Sequence, residues 1–256
     1  NETQITSVVA FGDCGELGFR KWTALQQIPL DGHLDLGNLT SPFWDFALFS
    51  DCTSFVGPTT IGNYCANLGP AVNMSNAFRF TQFNRSGFSL LDTSAVTSFT
   101  ACFEGSNQSV SGPEDWDTSS GEFFARMFAN CPFNRDLSGY DMSSATNING
   151  MFSGASSFQN GGVNNGVGQG LDTWDVSNVV DMTDLFSGAT SFNSRLDSWT
   201  INPSVTSLAR VFRNCENFDN GGASGVNVGI DNWNVSNVND FSGTFQSVGS
   251  NNKDGF

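Results

Sequence analysis

The chain of 256 residues is long enough for one large domain or two small ones, and its formal net charge is −15. Proteins that bind phosphates need lysine and arginine to displace counterions, so this charge argues against nucleic acid and anionic membrane surfaces as partners. No apolar run approaches the roughly 18–20 residues that span a bilayer, and we expect no membrane insertion. The composition indicates no cofactor, although Ca²⁺ in loose association with the acidic surface is compatible with it.

Residues 1–33 differ in pattern from everything that follows and are predicted to form an N-terminal cap. The chain starts at Asn1 rather than Met, so any signal peptide lies outside this sequence. The single histidine, His33, closes this segment. A Ser-His-Asp or Cys-His arrangement therefore has only one centre available, and nothing around His33 resembles a nucleophile elbow. We expect a protein that is not an enzyme.

Residues 34–256 repeat a phrase that closes on phenylalanine at a period of about 25 residues. A period of this length is typical of stacked repeats, in which each copy buries its apolar face against its neighbours. The predicted repeat core consists of Phe103, Phe128, Phe152, Met182, Phe186, Phe212, Phe241, Phe245, Trp174, Trp199 and Trp233.

Apolar spacing predicts the elements inside each copy. Val179, Met182 and Phe186 lie at i, i+3 and i+7, which predicts a short helix, and Ser177 and Ser236 precede such stripes where a helix cap would lie. The segments 133–140 and 192–199 end in an aromatic residue and are predicted to be strands that pair in parallel, at about 4.8 Å per copy. The predicted fold is an α/β solenoid of about eight coils, each a short parallel strand plus a short helix.

The phrases "LDTWDVSNVVDMTDLFSGATSFN" (171–193) and "FNRDLSGYDMSSATNINGMFSGASSFQN" (133–160) resemble the BspA-like surface-protein repeat of about 25–26 residues. That repeat is a relative of the leucine-rich repeat and is abundant in secreted proteins of bacteria, mycoplasmas and some protists and algae. The resemblance covers residues 34–256 and is strongest from the copy that closes at Phe152 onward. It implies a leucine-rich-repeat-like stack, an extracellular location and a role in adhesion or surface structure, with no catalytic motif.

Two similar Gly/Asn-rich insertions, 160–170 and 220–229, enter the phrase at the same point. Both are expected to emerge at one edge of the stack, and either a binding role or neutral loop growth accounts for them. The last phrase is interrupted, with Phe256 where the next strand is expected. Either the native chain continues there, or another subunit docks head-to-tail, which would build a filament.

The six cysteines fall into two groups. Cys52, Cys131 and Cys215 occupy the small core position that Ala155 and Ala189 hold in other copies, and Cys131 and Cys215 are predicted to be buried free thiols. These three lie three coils apart from one another, roughly 14 Å at the strand spacing, and cannot pair among themselves because a disulfide joins Cα atoms no more than about 7 Å apart. The predicted disulfides are Cys14 with Cys52, and Cys65 with Cys102.

Asn-x-Ser/Thr sequons give the glycosylation candidates Asn38, Asn107, Asn234, Asn73 and Asn1. Asn84 also begins a sequon, but it occupies the slot of Asn134 and Asn193, whose side chains are expected to bond to backbone within the stack. Glycosylation at these sites requires a eukaryotic secretory route. Together with the acidic charge and scarce lysine, the sequons predict an extracellular protein, secreted or held at the cell surface.

We therefore expect a non-catalytic surface-structural or adhesion component whose partners are other copies of itself or extracellular proteins and glycans. A period near 25 residues also suits a right-handed β-helix of the kind found in carbohydrate-active enzymes. Glu114, Asp115 and Asp117 would then be paired carboxylates or Ca²⁺ ligands, although the helical apolar stripe argues against this alternative. A glycan- or protein-recognition module is the third hypothesis.

Overall fold

The computed structural model describes residues 50–51, 73–82, 88–106, 112–162, 169–220 and 230–249. These residues contain no α-helix and no β-strand, so the predicted α/β solenoid is wrong. The helical elements within them are short 3-10 helices at Phe88–Leu90, Pro113–Asp115, Asn160–Gly162, Gly170–Thr173 and Ile230–Asn232. The predicted N-terminal cap, residues 1–33, lies outside the described residues.

Each copy within the described residues contains a segment of consecutive turns in place of the predicted helix, and we call this segment the turn strip. The turn strips are residues 73–81, 98–106, 123–131, 147–155, 181–189, 207–215 and 240–248. The fourth and eighth residues of every strip have positive φ, as at Asn76 (60°) and Phe80 (54°). An L-residue in this conformation cannot continue a right-handed helix, so the chain makes one β-turn after another.

The turn strip also explains why the apolar spacing predicted a helix. Its second and sixth residues are four apart and both face the core; Met182 and Phe186 are 0% exposed. A turn period of four residues is so close to the helical 3.6 that the apolar pattern fits both structures. The backbone hydrogen bonds distinguish the turn strip from a helix, because Phe186 N–H donates to the carbonyl of Val211 in the next copy (2.9 Å) and not to a residue four positions back.

Backbone hydrogen bonds join each turn strip to the next one. Four N–H groups of the strip 147–155 donate to carbonyls of the strip 181–189 over 2.7–2.9 Å, while the N–H groups between them bond inside their own strip, as from Met151 to Ile148 (3.1 Å). Isolated parallel bridges occur at the starts of strips, for example between Asn147 and Asp181. Parallel pairing between copies therefore lies where a helix was predicted.

The two segments predicted as strands are held by asparagine side chains instead of a backbone ladder. Leu137 N–H donates to Oδ1 of Asn160 (2.7 Å), and Leu196 N–H donates to Oδ1 of Asn220 (3.0 Å). Since a side-chain oxygen accepts the N–H group that a neighbouring strand would need, no strand forms in either segment.

Aromatic rings stacked from copy to copy form the core. The closing phenylalanines from Phe78 to Phe245 have ring centroids 5.4–6.0 Å apart. Beside them, Trp174, Trp199 and Trp233 stack at 5.9–6.3 Å, and each donates its Nε1–H to a leucine carbonyl. The residues of the predicted core that are buried here are Phe103, Phe128, Phe152, Met182, Phe186, Phe212, Trp174, Trp199 and Trp233.

Two residues of the predicted core are not buried. Phe241 is 45% exposed and Phe245 is 48% exposed. Phe245 stacks on Phe212 with one face (5.9 Å). The prediction that both side chains are buried in the core is therefore wrong.

Candidate functional site

The most regular exposed feature is a row of Asp/Asn-x-Ser turns, one from each of six successive copies, which we call the Asx column. In each turn the side-chain oxygen of the first residue accepts the backbone N–H of the serine two residues later, over 2.8–3.2 Å. The first residues are Asp92, Asp117, Asp141, Asp175, Asn202 and Asn234. Ser177 and Ser236, predicted as helix caps, are instead the third residues of two of these turns.

Hydrogen bonds between neighbouring turns fix the register of the Asx column. Thr93 Oγ1 donates to the carbonyl of Asp117 (2.9 Å), and Thr118 Oγ1 donates to the carbonyl of Asp141 (3.0 Å). Farther along, Asn178 Nδ2 donates to the carbonyl of a serine in the preceding turn (2.7 Å). Neighbouring turns of the column are therefore tied to one another directly.

Most of the Asx column carries fixed negative charge. Hydrogen bonds from a serine hydroxyl and a serine backbone N–H lower the pKa of Asp92, Asp117 and Asp175 below its usual range. These carboxylates are exposed and remain ionised at neutral pH. Two amides, Asn202 and Asn234, continue the column without charge, so its acidic part ends with the copy that contains Asp175.

The acidic cluster predicted as a possible enzyme or Ca²⁺ site is dispersed by the fold. Glu114 Oε2 accepts the N–H of Gly112 within its own turn (2.7 Å), whereas Asp117 belongs to the Asx column and Asp115 is exposed beside it. In the ranges that the structure describes, no three His, Cys, Asp or Glu residues are grouped so that they could hold a metal ion.

Two groups of ion pairs join neighbouring copies. Glu104 is 5% exposed and accepts hydrogen bonds from Arg79 Nε (2.9 Å) and from Arg126. Burial alone raises the pKa of Glu104, but the bonds from the two guanidinium groups outweigh it, so the pKa lies below its usual value. Arg210 binds Asp184 through two nitrogens at 2.7 Å. All these pairs connect different copies and act as structural ties.

The two insertions begin with buried asparagines that the sequence analysis did not single out. Asn160 and Asn220 are 1% and 5% exposed and have φ of 51° and 54°. Besides the leucine N–H bonds given above, Asn134 Oδ1 accepts the N–H groups of Gln159 (2.8 Å) and Gly161 (2.9 Å). The first turn of the insertion is therefore clamped on both sides.

A sequence signal for this anchor exists. The pattern F-x-N-G-G occurs at 158–162 and again at 218–222, in the two copies that carry insertions. Asparagine and glycine are the residues that tolerate positive φ, and an asparagine in that conformation can bond to nearby backbone. Residues 163–168 and 221–229, the remainder of both insertions, lie outside the described residues.

The chain matches the family described as "Mycoplasma protein of unknown function, DUF285" over residues 72–165 and again over residues 162–255. The two matches together cover more than half of the sequence. The chain belongs to this family. The first DUF285 match contains the turn strips from 73–81 to 147–155, and the matches meet inside the first insertion, so the chain is a tandem repeat protein. A search of curated proteins and a search of solved structures gave no match.

Three cysteines of this DUF285 chain lie in the core: Cys102, Cys131 and Cys215. Burial raises the pKa of the Cys102 thiol well above its usual value and that of Cys215 to about 12, so neither is a nucleophile at neutral pH. Cys102, which we predicted to pair with Cys65, is a thiol in the structure. The other predicted disulfide residues, Cys14, Cys52 and Cys65, lie outside the described residues.

Two of the predicted glycosylation sites fall within the described residues. Asn73 is half-buried at the start of a turn strip, and Asn234 is exposed in the Asx column. Asn1, Asn38 and Asn107 lie outside them, as do Asn84 and His33. Across the described ranges, no helix has the length and hydropathy needed to cross a membrane.

Proposed function

We propose that the protein is a non-catalytic repeat protein that works outside the cell, as a surface-structural or adhesion component, and that the Asx column is its contact surface. The observation that carries this proposal is the column itself. Six turns of one kind lie in register on the outside of the stack, and each is tied to its neighbours. Such a row suits contact with an extended partner, whereas a small substrate needs a concave site.

The use of charge supports the same assignment. The buried carboxylate of Glu104 forms ion pairs with arginines of the two neighbouring copies, whereas the carboxylates of the Asx column are exposed to solvent. An exposed row of like charge favours a partner that carries basic groups or bound cations. The acidic net charge, the sequons and the resemblance of the repeats to those of BspA-like surface proteins support an extracellular location.

The location is tested on cells that make the protein naturally. An antibody raised against the whole chain is applied to intact and to permeabilised cells, and a protease is added to intact cells in parallel. Labelling of intact cells, and its loss after protease treatment, is the expected result. Labelling that appears only after permeabilisation would place the protein inside the cell and overturn the proposal.

The contact surface is tested with two sets of variants in the same chain, produced without N-glycosylation. The first set combines Asp117→Asn, Asp141→Asn and Asp175→Asn. Asparagine keeps the oxygen that accepts the serine N–H, as Asn202 and Asn234 show, so the turns persist while the charge is removed.

The control set removes the same charge from exposed residues outside the Asx column, with Asp115→Asn, Glu122→Gln and Asp231→Asn. Beads coated with each protein are tested for attachment to host cells and to immobilised matrix proteins and glycans. We expect attachment to fall for the column set and to persist for the control set. Equal attachment of both sets would show that the Asx column is not the contact surface.

A further inference from the structure

We infer that Asn234 is an acceptor for N-linked glycan, and that its Asx turn holds the amide in a position to react. The inference rests on the proposed extracellular location, since the modification requires a secretory route. The sequon is Asn234-Val235-Ser236, in the last of the six turns of the Asx column. The sequence contains five other sequons; the structure describes one of them, at Asn73, and distinguishes Asn234 from it.

The hydrogen bonds of Asn234 leave its nitrogen available. Its Oδ1 accepts the backbone N–H of Ser236 (3.2 Å), which fixes the side-chain amide across the turn. Its Nδ2 has no hydrogen-bond partner among the described residues, and both Asn234 and Ser236 are exposed. The reacting nitrogen and the serine hydroxyl that a transferase must contact therefore lie together on the surface.

The equivalent turns of the Asx column lack this combination. Asp92, Asp117, Asp141 and Asp175 carry carboxylates, which have no amide nitrogen. Asn202 does have one, but its Nδ2 donates to the carbonyl of Ser177 (2.7 Å), and the residue that follows is Pro203, which no sequon allows. Within the column, only the turn at Asn234 unites an amide, a residue other than proline and a serine.

Asn73 begins the other sequon in the described ranges and forms the same kind of Asx turn, since its Oδ1 accepts the backbone N–H of Ser75 (2.8 Å), but its surroundings differ. It is half-buried and pairs through its backbone with Ser98 of the next copy. The hydroxyl of its sequon serine, Ser75, is hydrogen-bonded to the hydroxyl of Ser98 (2.8 Å). A glycan here would have to leave from between two turn strips, so we expect the folded protein to carry none at Asn73.

The chemistry at Asn234 is a substitution at the first carbon of a lipid-pyrophosphate-linked oligosaccharide. The Nδ2 nitrogen forms a bond to that carbon, the bond from the carbon to the pyrophosphate oxygen breaks, and the lipid pyrophosphate departs with the electron pair. One amide proton leaves to a base of the transferase. No electron is gained or lost overall, and the product is a secondary amide that bears the sugar.

The chain offers a matched test of this inference. Residues 174–179 read W-D-V-S-N-V and residues 233–238 read W-N-V-S-N-V, so D175N reproduces the Asn234 sequence in an internal copy, where the turn is already present. The whole chain, its N234Q variant and its D175N variant are secreted from a eukaryotic cell line. Peptide mass spectrometry after an N-glycan-removing glycosidase then gives the occupancy of each asparagine separately.

We expect glycan at Asn234 and none at Asn73 in the unaltered chain, loss of that one glycan in N234Q, and a new glycan at position 175 in D175N. An unoccupied Asn234 in secreted, folded protein overturns the inference, and so does occupancy at Asn73 equal to that at Asn234. This readout depends on the site alone. Failure of the proposed function appears separately, as antibody labelling confined to permeabilised cells.

Discussion

Removing one ring from the middle of the aromatic column is expected to cost far more stability than removing the ring at its exposed end. Phe186 is 0% exposed and its ring centroid lies 5.6, 3.8 and 6.0 Å from those of Phe152, Phe192 and Phe212. Truncation leaves a cavity between three rings that the stack holds in place, so Phe186→Ala should cost about 3–5 kcal/mol of unfolding free energy. The matched control is Phe245→Ala, in the same motif position.

The control removes a ring that is 48% exposed and stacks on Phe212. Full burial of a phenylalanine is worth about 1.5–3 kcal/mol, so half of that burial gives about 1 kcal/mol, and no closed cavity remains. Urea unfolding of both variants is followed by tryptophan fluorescence and by circular dichroism, because coincident transitions are needed before the two free energies are compared. Equal losses, or a larger loss for Phe245→Ala, would refute the stacked-core account.

Three further predictions concern the loop anchor and the buried carboxylate. Gly161 and Gly162 have nearly the same φ, 68° and 69°, but differ in the space around them. A Cβ added at Gly161 would lie 2.8 Å from the backbone nitrogen of Asp136, whereas a Cβ added at Gly162 would meet nothing within 4 Å. Gly162→Ala should therefore cost about 1 kcal/mol in urea unfolding, and Gly161→Ala about 1–3 kcal/mol more; equal costs would contradict the anchor geometry. Asn160→Gly keeps the backbone conformation but leaves the buried Leu137 N–H without its acceptor, so it should cost about 1–3 kcal/mol in the same assay, and an unchanged midpoint would show that the clamp is dispensable. Because the folded pKa of Glu104 is lowered, its ion pairs stabilise the chain above its unfolded pKa, and this stability is lost as the pH falls through the folded pKa. Glu104→Gln should therefore lower the urea midpoint at pH 7, and the gap to the unaltered chain should narrow at about pH 3; a gap that does not change with pH would exclude the pairs as its source.

The repeat period and most of the core could be predicted from sequence because burial repeats with the phrase. Phe152 and Phe186 recur at equivalent positions for the same reason, since each must cover the ring of its neighbour. The helix could not be distinguished from the turn strip, because a turn period of four residues produces nearly the same apolar spacing. Positive φ could not be predicted at several positions because the residue there is not glycine. Arg126 and Asp184 are examples, whereas a glycine would have indicated this conformation.

The candidate site was predicted less well than the core. The Asp-x-Ser phrase was interpreted as a helix cap because caps and Asx turns use the same residues for the same bond, from side-chain oxygen to backbone N–H. Asn160 and Asn220 were grouped with the loops that they begin, since burial of an asparagine leaves no trace in composition. The contact with a leucine N–H in another copy shows that they are anchors, and the repeated F-x-N-G-G pattern is the sequence signal that accompanies it.

Positive φ at non-glycine residues gives a copy such as 207–215 a physical reason to need a neighbour. An ordinary L-residue in this conformation costs about 1–2 kcal/mol, and the strip 207–215 contains Arg210 of this kind and Asn214, which tolerates the conformation better. The same conformation turns alternate N–H groups toward the next copy. Four N–H groups of the strip 207–215 donate to carbonyls of the strip 240–248, namely those of Leu208, Arg210, Phe212 and Asn214. At about 1 kcal/mol net for each bond, these four contacts offset the strain only when a neighbouring copy is present. A single copy would keep the strain and lose the bonds, so copies of this kind are stable only as an array.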